Sequence, residues 1–340
     1  MSAALQRMLD LQYGHPPPEV AVTADEIVLA PASWAGGRRE VRRLCAGNKH
    51  ANWSTDLLLQ TPEGSGPFPL LIGLNFHGLH TVTDDPTLPM SLCAANGLAS
   101  RGMQARRWDL AQATAAGLAV ATLHADAVCW DSADPAQRAA HTGVGSLFAG
   151  DGIGHGPSGW GAIAAWAWAL RHAATALRRD SRIDAARVGM CGHSRLGKAA
   201  LLAAALDPAV ALVIDNQSGT CGGAPSVGKP ADAETTEHIQ GTFPHWFCPT
   251  FAAHAPAPET LPFAQADLLR AIAPRPLLMT YAACDRWADP DGARANRDSV
   301  APYWTDPARV RFVLRDGSHD VLPTDWTTWI DFCRCVQFLP

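Results

Sequence analysis

Ser194 lies in a segment that predicts a serine hydroxyl on an exposed turn. Residues 188–191 are typical of a short strand, and an alanine- and leucine-rich stretch typical of a helix begins at Leu196. A strand–turn–helix with Gly192 just before the turn is the setting of a nucleophile elbow, in which the serine attacks an acyl carbon. The usual pattern has glycine two residues after the serine, whereas this chain has Gly197 one position later. The alternative is a serine in an ordinary loop.

The residues that a nucleophilic serine needs follow Ser194 in the chain. A serine hydroxyl needs a base, and the base needs an acid that fixes its tautomer. Asp285 and His319 each follow a predicted strand, and the order Ser, Asp, His is that of the α/β-hydrolase fold. We therefore predict His319 as the base and Asp285 as the acid, with Asp215 as the alternative acid. The alternative for His319 is a histidine in a surface loop.

Backbone N–H groups at two turns are predicted to stabilise the negative charge on the carbonyl oxygen. One belongs to Arg195, at the start of the predicted helix. The other belongs to His77 or Gly78, which follow a predicted strand where α/β-hydrolases supply a second donor. The spacing of His77 and His80 also suits a metal, but no helix or third ligand accompanies them. We expect loop histidines there, with neither metal nor cofactor.

The elements that must position these residues alternate along the chain. Short apolar runs alternate with alanine-rich stretches, which predicts an α/β-hydrolase fold: a mostly parallel central sheet with helices on both faces. The predicted strands cover residues 56–59, 69–75, 118–123, 188–191, 211–214, 276–281 and 311–314, and the clearest helices cover 159–179, 196–206 and 325–338.

A single domain over residues 1–340 is expected, because the sequence has neither a repeat nor a long linker. Two segments, near 80–107 and 219–261, interrupt the alternation and are rich in Gly, Pro, Thr and His. Long irregular segments in a compact domain are usually functional, so we expect both to form walls of the site.

Composition excludes several classes of protein. Hydrophobic residues make up 47% and charged residues 17%, which excludes a disordered chain or a coiled coil. There are 27 Lys and Arg against 32 Asp and Glu, so no broad basic surface is available for nucleic acid. The longest nearly apolar stretch, residues 160–170, is about half of the ~20 residues that a membrane span needs. We expect a soluble protein that acts on a small-molecule or saccharide ester; the sequence does not indicate an oligomeric state.

Cysteine usage and the first residues bear on location. The nine cysteines are an odd number and are scattered, except for Cys333 and Cys335, which we expect to be a core and a surface thiol of the last helix. The chain as given opens without a basic segment followed by an apolar run. These features predict reduced thiols and a cytoplasmic protein.

Several segments, in chain order, resemble one enzyme family. They are Gly73-Leu-Asn-Phe-His-Gly-Leu-His-Thr-Val-Thr-Asp-Asp-Pro86, Trp160-Gly-Ala-Ile-Ala-Ala-Trp-Ala-Trp168, Gly192-His-Ser-Arg-Leu-Gly-Lys198, Ile214-Asp-Asn-Gln-Ser-Gly219, Phe243-Pro-His-Trp-Phe-Cys248, Ile272-Ala-Pro-Arg-Pro276, Asp285-Arg-Trp-Ala-Asp-Pro290, and His319-Asp-Val with Asp325-Trp326. Over about residues 68–333 the chain resembles the bacterial glucuronoyl esterases of carbohydrate esterase family 15. The resemblance implies a serine hydrolase, without metal or cofactor, that cleaves esters of 4-O-methyl-glucuronic acid in plant cell walls.

The resemblance also implies roles for residues around the triad. It places the Arg195 guanidinium beside the oxyanion, Lys198 on sugar hydroxyls and Trp287 at the border of the sugar, with Gln217 and Trp246 at the substrate. An indole offers a flat apolar face to the C–H side of a sugar, which fits this role for a tryptophan. The alternatives are a solvated lysine on a helix and tryptophans packed in the core.

The chain departs from the family at four points. Many members have their acidic residue as Glu at the position of Gln217, which brings no charge, so the acid must lie elsewhere and Gln217→Glu is expected to be tolerated. Many have Cys where His193 stands, so the disulfide to a Cys near the catalytic histidine is excluded. Residues 264–266 lack the family's Asp-His pattern, and the chain as given lacks an export signal. These departures favour two alternatives: an esterase, lactonase or acyltransferase that acts on a small metabolite, and a non-catalytic ligand-binding protein.

Overall fold

The computed structural model describes residues 1–49, 51–149 and 159–339. The described residues form two compact units. The first unit contains the described residues of 18–149, 169–190 and 321–339, and the second contains residues 1–17, 159–168 and 191–320. Residues 50, 150–158 and 340 lie outside the description, and the single domain expected over residues 1–340 stays a prediction.

Strands of the first unit form a mixed sheet. They are β1 (Val22–Trp34), β2 (Gly37–Gly47), β3 (Asn52–Pro62), β4 (Phe68–Asn75), β5 (Leu92–Cys93), β6 (Gly97–Leu98), β7 (Ala119–His124) and β8 (Ile183–His193), of which the last three residues belong to the second unit. The order in the sheet is β1-β2-β3-β7-β4-β8, and β5 pairs with β6 separately. β4 is parallel to both β7 and β8, whereas β3 is antiparallel to β7. β4 and β7 are buried along almost their whole length and are largely apolar, as predicted.

β1 and β2 lie outside the predicted strands; β1 is largely exposed, and in β2 the charged side chains are paired within the fold. Glu40 of β2 is 2% exposed, and its Oε1 lies 2.7 Å from Nη2 of Arg182. Arg42, also in β2, pairs with Asp180 at 2.7 Å. Charged residues of this kind break the apolar alternation that predicts a half-buried strand, although the strand itself is buried.

Strands of the second unit are parallel. They are β9 (Val213–Asn216), β10 (Leu277–Ala282) and β11 (Val310–Arg315), with β10 paired to both of its neighbours. Together with β4, β7 and β8 they confirm the prediction of a mostly parallel sheet. Parallel strands end at a common edge, so the loops after β9, β10 and β11 lie side by side.

Helices surround the strands. The α-helices are α1 (Ala3–Met8), α2 (Leu110–Ala115), α3 (Ala125–Val128), α4 (Pro135–Ala140), α5 (Ala162–Leu177), α6 (Arg195–Leu206), α7 (Thr236–Thr242), α8 (Phe251–His254), α9 (Ala266–Arg270), α10 (Pro290–Val300) and α11 (Pro323–Cys335). α6 consists mostly of alanine and leucine, is buried along nearly its whole length and packs on β9. Within the described ranges, no helix combines the length and apolarity that crossing a membrane requires.

Candidate active site

The turn between β8 and α6 holds Ser194 in a strained backbone conformation. Ser194 has φ 58° and ψ −130°, a combination that a residue with a side chain rarely adopts and that is typical of functional turns. A Cβ added at Gly192 would lie 2.2 Å from the carbonyl oxygen of Leu196, so the close passage of the chain requires glycine there. The strand therefore turns directly into the helix with Ser194 at the corner.

Gly197 takes the place of the glycine that the usual elbow pattern has at position 196. A Cβ at Gly197 would lie 2.8 Å from Oδ1 of Asp215 and 3.0 Å from the carbonyl oxygen of Gly192. Leu196, in contrast, is 1% exposed and belongs to the core. The close contact that needs a glycine has thus moved by one residue, which explains the imperfect pattern.

His319 and Asp285 are joined by a short hydrogen bond. Nδ1 of His319 lies 2.6 Å from Oδ2 of Asp285. The loops that carry them are also tied together, because the N–H of Cys284 donates to the carbonyl oxygen of Gly317 at 2.9 Å. Asp285 is buried, whereas 42% of the His319 side chain is exposed. A buried acid on Nδ1 leaves Nε2 as the nitrogen of His319 that is available to a hydroxyl.

His193, the residue before the nucleophile, packs against His319. The centroids of the two imidazole rings are 4.4 Å apart, with an angle of 37° between the planes. Nδ1 of His193 is 2.6 Å from Oδ1 of Asn216, whose carbonyl oxygen accepts the N–H of Ser194 at 2.9 Å. The sequence analysis treated His193 only as a lost disulfide partner. Its contact with the base could not be foreseen, because it depends on how the loop after β11 folds back.

Asp215, the alternative acid, is bonded to other groups. It is fully buried, and the hydroxyl of Tyr281 donates to its Oδ2 at 3.2 Å. Burial raises the pKa of Asp215 to about 6, although hydrogen bonds from Ser218 and Tyr281 oppose the shift. Of the two candidate acids, it is Asp285 that the structure brings to His319.

Gln217 reaches the backbone next to the base, where a role at the substrate was expected. Its Nε2 donates to the carbonyl oxygen of Asp320 at 2.9 Å, and its Oε1 accepts the N–H of the same residue at 3.3 Å. The side chain is 1% exposed. These bonds connect the corner after β9 with the loop that carries His319.

The Arg195 guanidinium lies over a stacked aromatic pair. Arg195 is the first residue of α6, where the opening N–H groups of a helix have no partner inside the helix. Its Cζ is 4.7 Å from the ring centroid of Trp246, and that ring stacks on Phe243 at 3.9 Å. Trp246 is 3% exposed. In this position the indole supports Arg195, whereas the sequence analysis expected Trp246 at the substrate.

His77 and Gly78 follow β4 in the first unit. The N–H of Gly78 donates to Oδ1 of Asn75 at 2.8 Å, so this amide is already engaged. The second oxyanion donor expected at His77 or Gly78 stays a prediction. His80 is buried in a short 3-10 helix, Leu79–Thr81, with Nε2 on the carbonyl oxygen of Ala99 and Nδ1 accepting the N–H of Ser91. No group of side chains able to hold a metal ion occurs among the described residues.

Lys198 and Trp287 have opposite environments. Lys198 is 3% exposed, its Nζ donates to the carbonyl oxygen of Ser218, and burial lowers its pKa. Trp287 is 47% exposed, and its ring meets that of His238 edge-on with the centroids 4.8 Å apart. Of the two residues implied for sugar contact, only Trp287 presents a broad accessible surface.

Comparisons with known proteins identify relatives over most of the chain. The sequence pattern of the family described as "Glucuronyl esterase, fungi" matches residues 44–303. Carbohydrate esterase MZ0003, from an unknown prokaryotic organism, is 35% identical over an alignment of 328 positions that covers 87% of this chain and 74% of the relative. A 4-O-methyl-glucuronoyl methylesterase of Sodiomyces alcalophilus is 36% identical over 155 residues, but that match spans only 29% of its length.

Solved structures agree with these relatives. A glucuronoyl esterase from Solibacter usitatus has a TM-score of 0.86 at 30% identity, with 98% of this chain and 91% of that chain covered. A structure described as a promiscuous CE15 esterase from the marine bacterial metagenome has a TM-score of 0.85 at 30% identity, with 98% and 90% covered. The predicted α/β-hydrolase fold is confirmed.

The predicted cytoplasmic location is wrong. Glucuronoyl esterases are generally secreted enzymes that act on plant cell wall polysaccharides. Reduced thiols were a poor guide, because a chain of this length buries enough core to be stable without disulfides in any compartment. Five of the nine cysteines, including Cys191 and Cys333, are buried, and Cys335 is exposed, as expected for a core and a surface thiol.

Proposed function

The chain belongs to the glucuronoyl esterases of carbohydrate esterase family 15, and we propose that it cleaves esters of 4-O-methyl-glucuronic acid through an acyl-enzyme on Ser194. It is a serine carboxylic ester hydrolase, so the alternative of a non-catalytic binding protein is set aside. The observation that most supports the proposed site is the 2.6 Å hydrogen bond between His319 and Asp285. The ring of His319 also packs against that of His193, the residue before Ser194.

The proposed reaction begins with the Ser194 hydroxyl. Nε2 of His319 takes its proton while Oγ attacks the carbonyl carbon of the ester. The tetrahedral intermediate collapses when His319 gives the proton to the departing alcohol, which leaves the uronic acid bound to Oγ as an ester. A water molecule then attacks this ester with His319 again as base, and the acid is released with Ser194 restored.

The negative charge that develops on the carbonyl oxygen is stabilised by hydrogen-bond donors that are in place before the reaction begins. We assign the N–H of Arg195 to this role, with the Arg195 guanidinium beside it; the second donor expected from the sequence, at His77 or Gly78, stays a prediction. The guanidinium packs against Trp246, which orients it before the reaction, so little free energy is needed to orient it during the reaction. Loss of one such donor typically lowers the rate by about 10²–10³-fold.

Asp285 is proposed as the acid because it contacts His319 and, unlike Gln217, carries a negative charge. Its carboxylate accepts the Nδ1–H of His319 and so fixes the tautomer with Nε2 toward the serine. It also stabilises the positive charge of the imidazolium that forms when the serine proton arrives. An amide at Gln217 carries no charge to offset that imidazolium.

Trp287 and Lys198 are proposed to recognise the uronic acid. The exposed ring of Trp287 suits stacking against a sugar. Nζ of Lys198 donates one N–H to the Ser218 carbonyl oxygen, and the ammonium group has further N–H groups to donate to sugar hydroxyls.

A panel of esters tests the proposed substrate. The purified protein is assayed on the methyl esters of 4-O-methyl-glucuronic and galacturonic acids, on an acetyl ester and on a lactone. We expect kcat/KM to be highest for the glucuronate ester, and Ser194→Ala to abolish turnover and fluorophosphonate labelling while the melting temperature stays unchanged. A higher kcat/KM on the acetyl ester or the lactone would contradict the substrate, and turnover by Ser194→Ala would contradict the site.

A further inference from the structure

The loop that carries His319 is held by a side chain from a different strand end. Gln217, just after β9, makes two hydrogen bonds to Asp320: Nε2 donates to its carbonyl oxygen and Oε1 accepts its N–H. One amide therefore bonds to both polar backbone groups of the residue next to the base, and Nη2 of Arg315 also donates to the Asp320 carbonyl oxygen at 2.7 Å. The Gln217 side chain is 1% exposed, and its two bonds to Asp320 are partly buried.

Gln217 is itself fixed in place. Its φ is 53°, in the left-handed region, and its N–H donates to the carbonyl oxygen of Thr280 at 3.0 Å. Its Nε2 also lies 3.3 Å from Oδ1 of Asn216. Two acceptors on the Nε2 side and a donor on the Oε1 side determine which way the amide points.

His193 constrains the ring of His319 from another direction. The Nδ2 of Asn216 donates to Oγ1 of Thr280 at 2.9 Å, so its Oδ1 faces His193 as an acceptor. His193 therefore carries its proton on Nδ1 and donates it to Asn216 at 2.6 Å. This bond orients the imidazole whose ring lies 4.4 Å from that of His319.

We propose that Gln217 and His193 are positioning residues that hold the imidazole of His319 in line with Asp285 and Ser194. They act through His319, so the inference rests on the proposed role of His319 as base. The His319 side chain needs such support because it is 42% exposed and its loop contains Gly317 at φ 99°. Asn216 joins the two, since it contacts both side chains and also accepts the N–H of Ser194.

The first experiment compares methionine substitutions at two buried glutamines, because methionine keeps the length of the side chain. Gln217→Met removes both bonds to Asp320. Gln265→Met is the matched control, because Gln265 is also buried and donates to the Tyr13 hydroxyl and the Gly222 carbonyl. We expect Gln217→Met to lower kcat on a glucuronate methyl ester by about 10- to 100-fold with KM little changed, because misplaced groups lose rate rather than binding. Gln265→Met is expected to leave kcat near wild type.

A spectroscopic readout separates positioning from general destabilisation. The proton between His319 Nδ1 and Asp285 should give a low-field NMR signal, which Asp285→Asn removes and thereby assigns. Gln217→Met is expected to shift or broaden this signal. Gln265→Met is expected to leave the signal unchanged, even when the two variants lower the melting temperature equally. An unaltered signal and kcat in Gln217→Met would overturn the role of Gln217.

Gln217→Glu gives a sharper test, because it changes only the donor end of the side chain. A carboxylate would face the backbone carbonyl oxygen of Asp320 and the side-chain Oδ1 of Asn216, which now accept from Nε2. We therefore expect kcat to fall below that of Gln217→Met, which reverses the tolerance expected from the sequence. Wild-type kcat in Gln217→Glu would contradict the proposed hydrogen-bond pattern.

His193 is tested by a graded pair of variants. His193→Phe keeps a ring against His319 but loses the bond to Asn216, and His193→Ala loses both. We expect the kcat loss and the change in the NMR signal to be larger for His193→Ala, and His193→Phe serves if the alanine variant does not fold. A normal NMR signal in His193→Phe with the kcat of wild type would overturn the role of the Asn216 bond. If the wild type cleaves no uronic ester, the proposed substrate fails, while the NMR signal still tests the positioning of His319.

Discussion

Asp285 and His319 meet through a 2.6 Å hydrogen bond although they lie on separate loops, after β10 and β11. Those two strands are parallel neighbours, and the N–H groups of Ala283 and Cys284 donate to carbonyl oxygens of the β11 strand end and loop. The distance between acid and base is therefore set by the edge of a sheet. A site built on rigid strands keeps its geometry better than one built on free loops.

The carboxylate of Asp285 should be essential for turnover. Asp285→Asn keeps the shape but removes the charge that supports the imidazolium of His319. We expect kcat on a glucuronate ester to fall by about 10⁴-fold, as is typical of the loss of this charge in serine hydrolases. Steady-state kinetics measure the effect, and circular dichroism checks the fold. Near wild-type kcat would show that another acid serves His319.

Asp215→Asn should affect stability more than turnover, and in a pH-dependent way. Burial raises the pKa of Asp215 from 3.8 to about 6, so the folded protein binds this proton more tightly than the unfolded chain does. Stability from this group is therefore fully present below about pH 4 and is lost as pH rises through about 6. The asparagine variant does not titrate there.

Melting curves at pH 4 to 7 test this expectation. The melting temperature of Asp215→Asn relative to wild type should rise over that range, with kcat at pH 7 lowered far less than in Asp285→Asn. A constant or falling difference in melting temperature would mean that the carboxyl group is not destabilised by burial. Asp207→Asn is the control, because the Asp207 carboxylate accepts the N–H of Ala209 at 2.9 Å at the protein surface, outside the core.

Trp287→Ala tests recognition of the sugar. The exposed ring contributes little to the core, so we expect an unchanged melting temperature. KM for a glucuronate ester should rise more than KM for an acetyl ester, because only the former offers a sugar to stack. Equal changes in both KM values would mean that Trp287 does not touch the sugar. The same comparison on Lys198→Ala is less direct, since a buried lysine also supports the loop at Ser218.

Arg195 and Trp246 should act as a unit. Arg195→Met is expected to lower kcat, and Trp246→Phe should lower it less, because a smaller ring still lies beneath the guanidinium. In the double variant the effects should not add, since the aromatic ring acts only through the arginine. Additive losses in kcat would place Trp246 in a separate role, such as direct contact with substrate.

The sequence predicted those parts of the fold and site that depend on chain order. Buried parallel strands such as β4 and β10 are apolar runs, and the order of Ser194, Asp285 and His319 follows from the strands that precede them. The sequence did not predict contacts between segments that lie far apart in the chain. Nothing in the neighbouring sequence shows that Gln217 bonds to Asp320, or that Lys198 is buried on the Ser218 carbonyl. The charges of β2 hid a strand because their partners lie about 140 residues away.

The elbow glycines set a boundary for anyone who wishes to engineer heat resistance into this enzyme. Replacing glycine with alanine is a common route to a higher melting temperature, because it restricts the unfolded chain. At Gly192 and Gly197 the added methyl group would collide with the turn that presents Ser194. Gly241 is the opposite case: it lies inside α7 with open space where a methyl group would go, so alanine there should stabilise the helix by up to about 1 kcal/mol. Glycine-to-alanine substitutions can therefore raise the melting temperature when Gly192 and Gly197, at the turn that presents Ser194, are left unchanged.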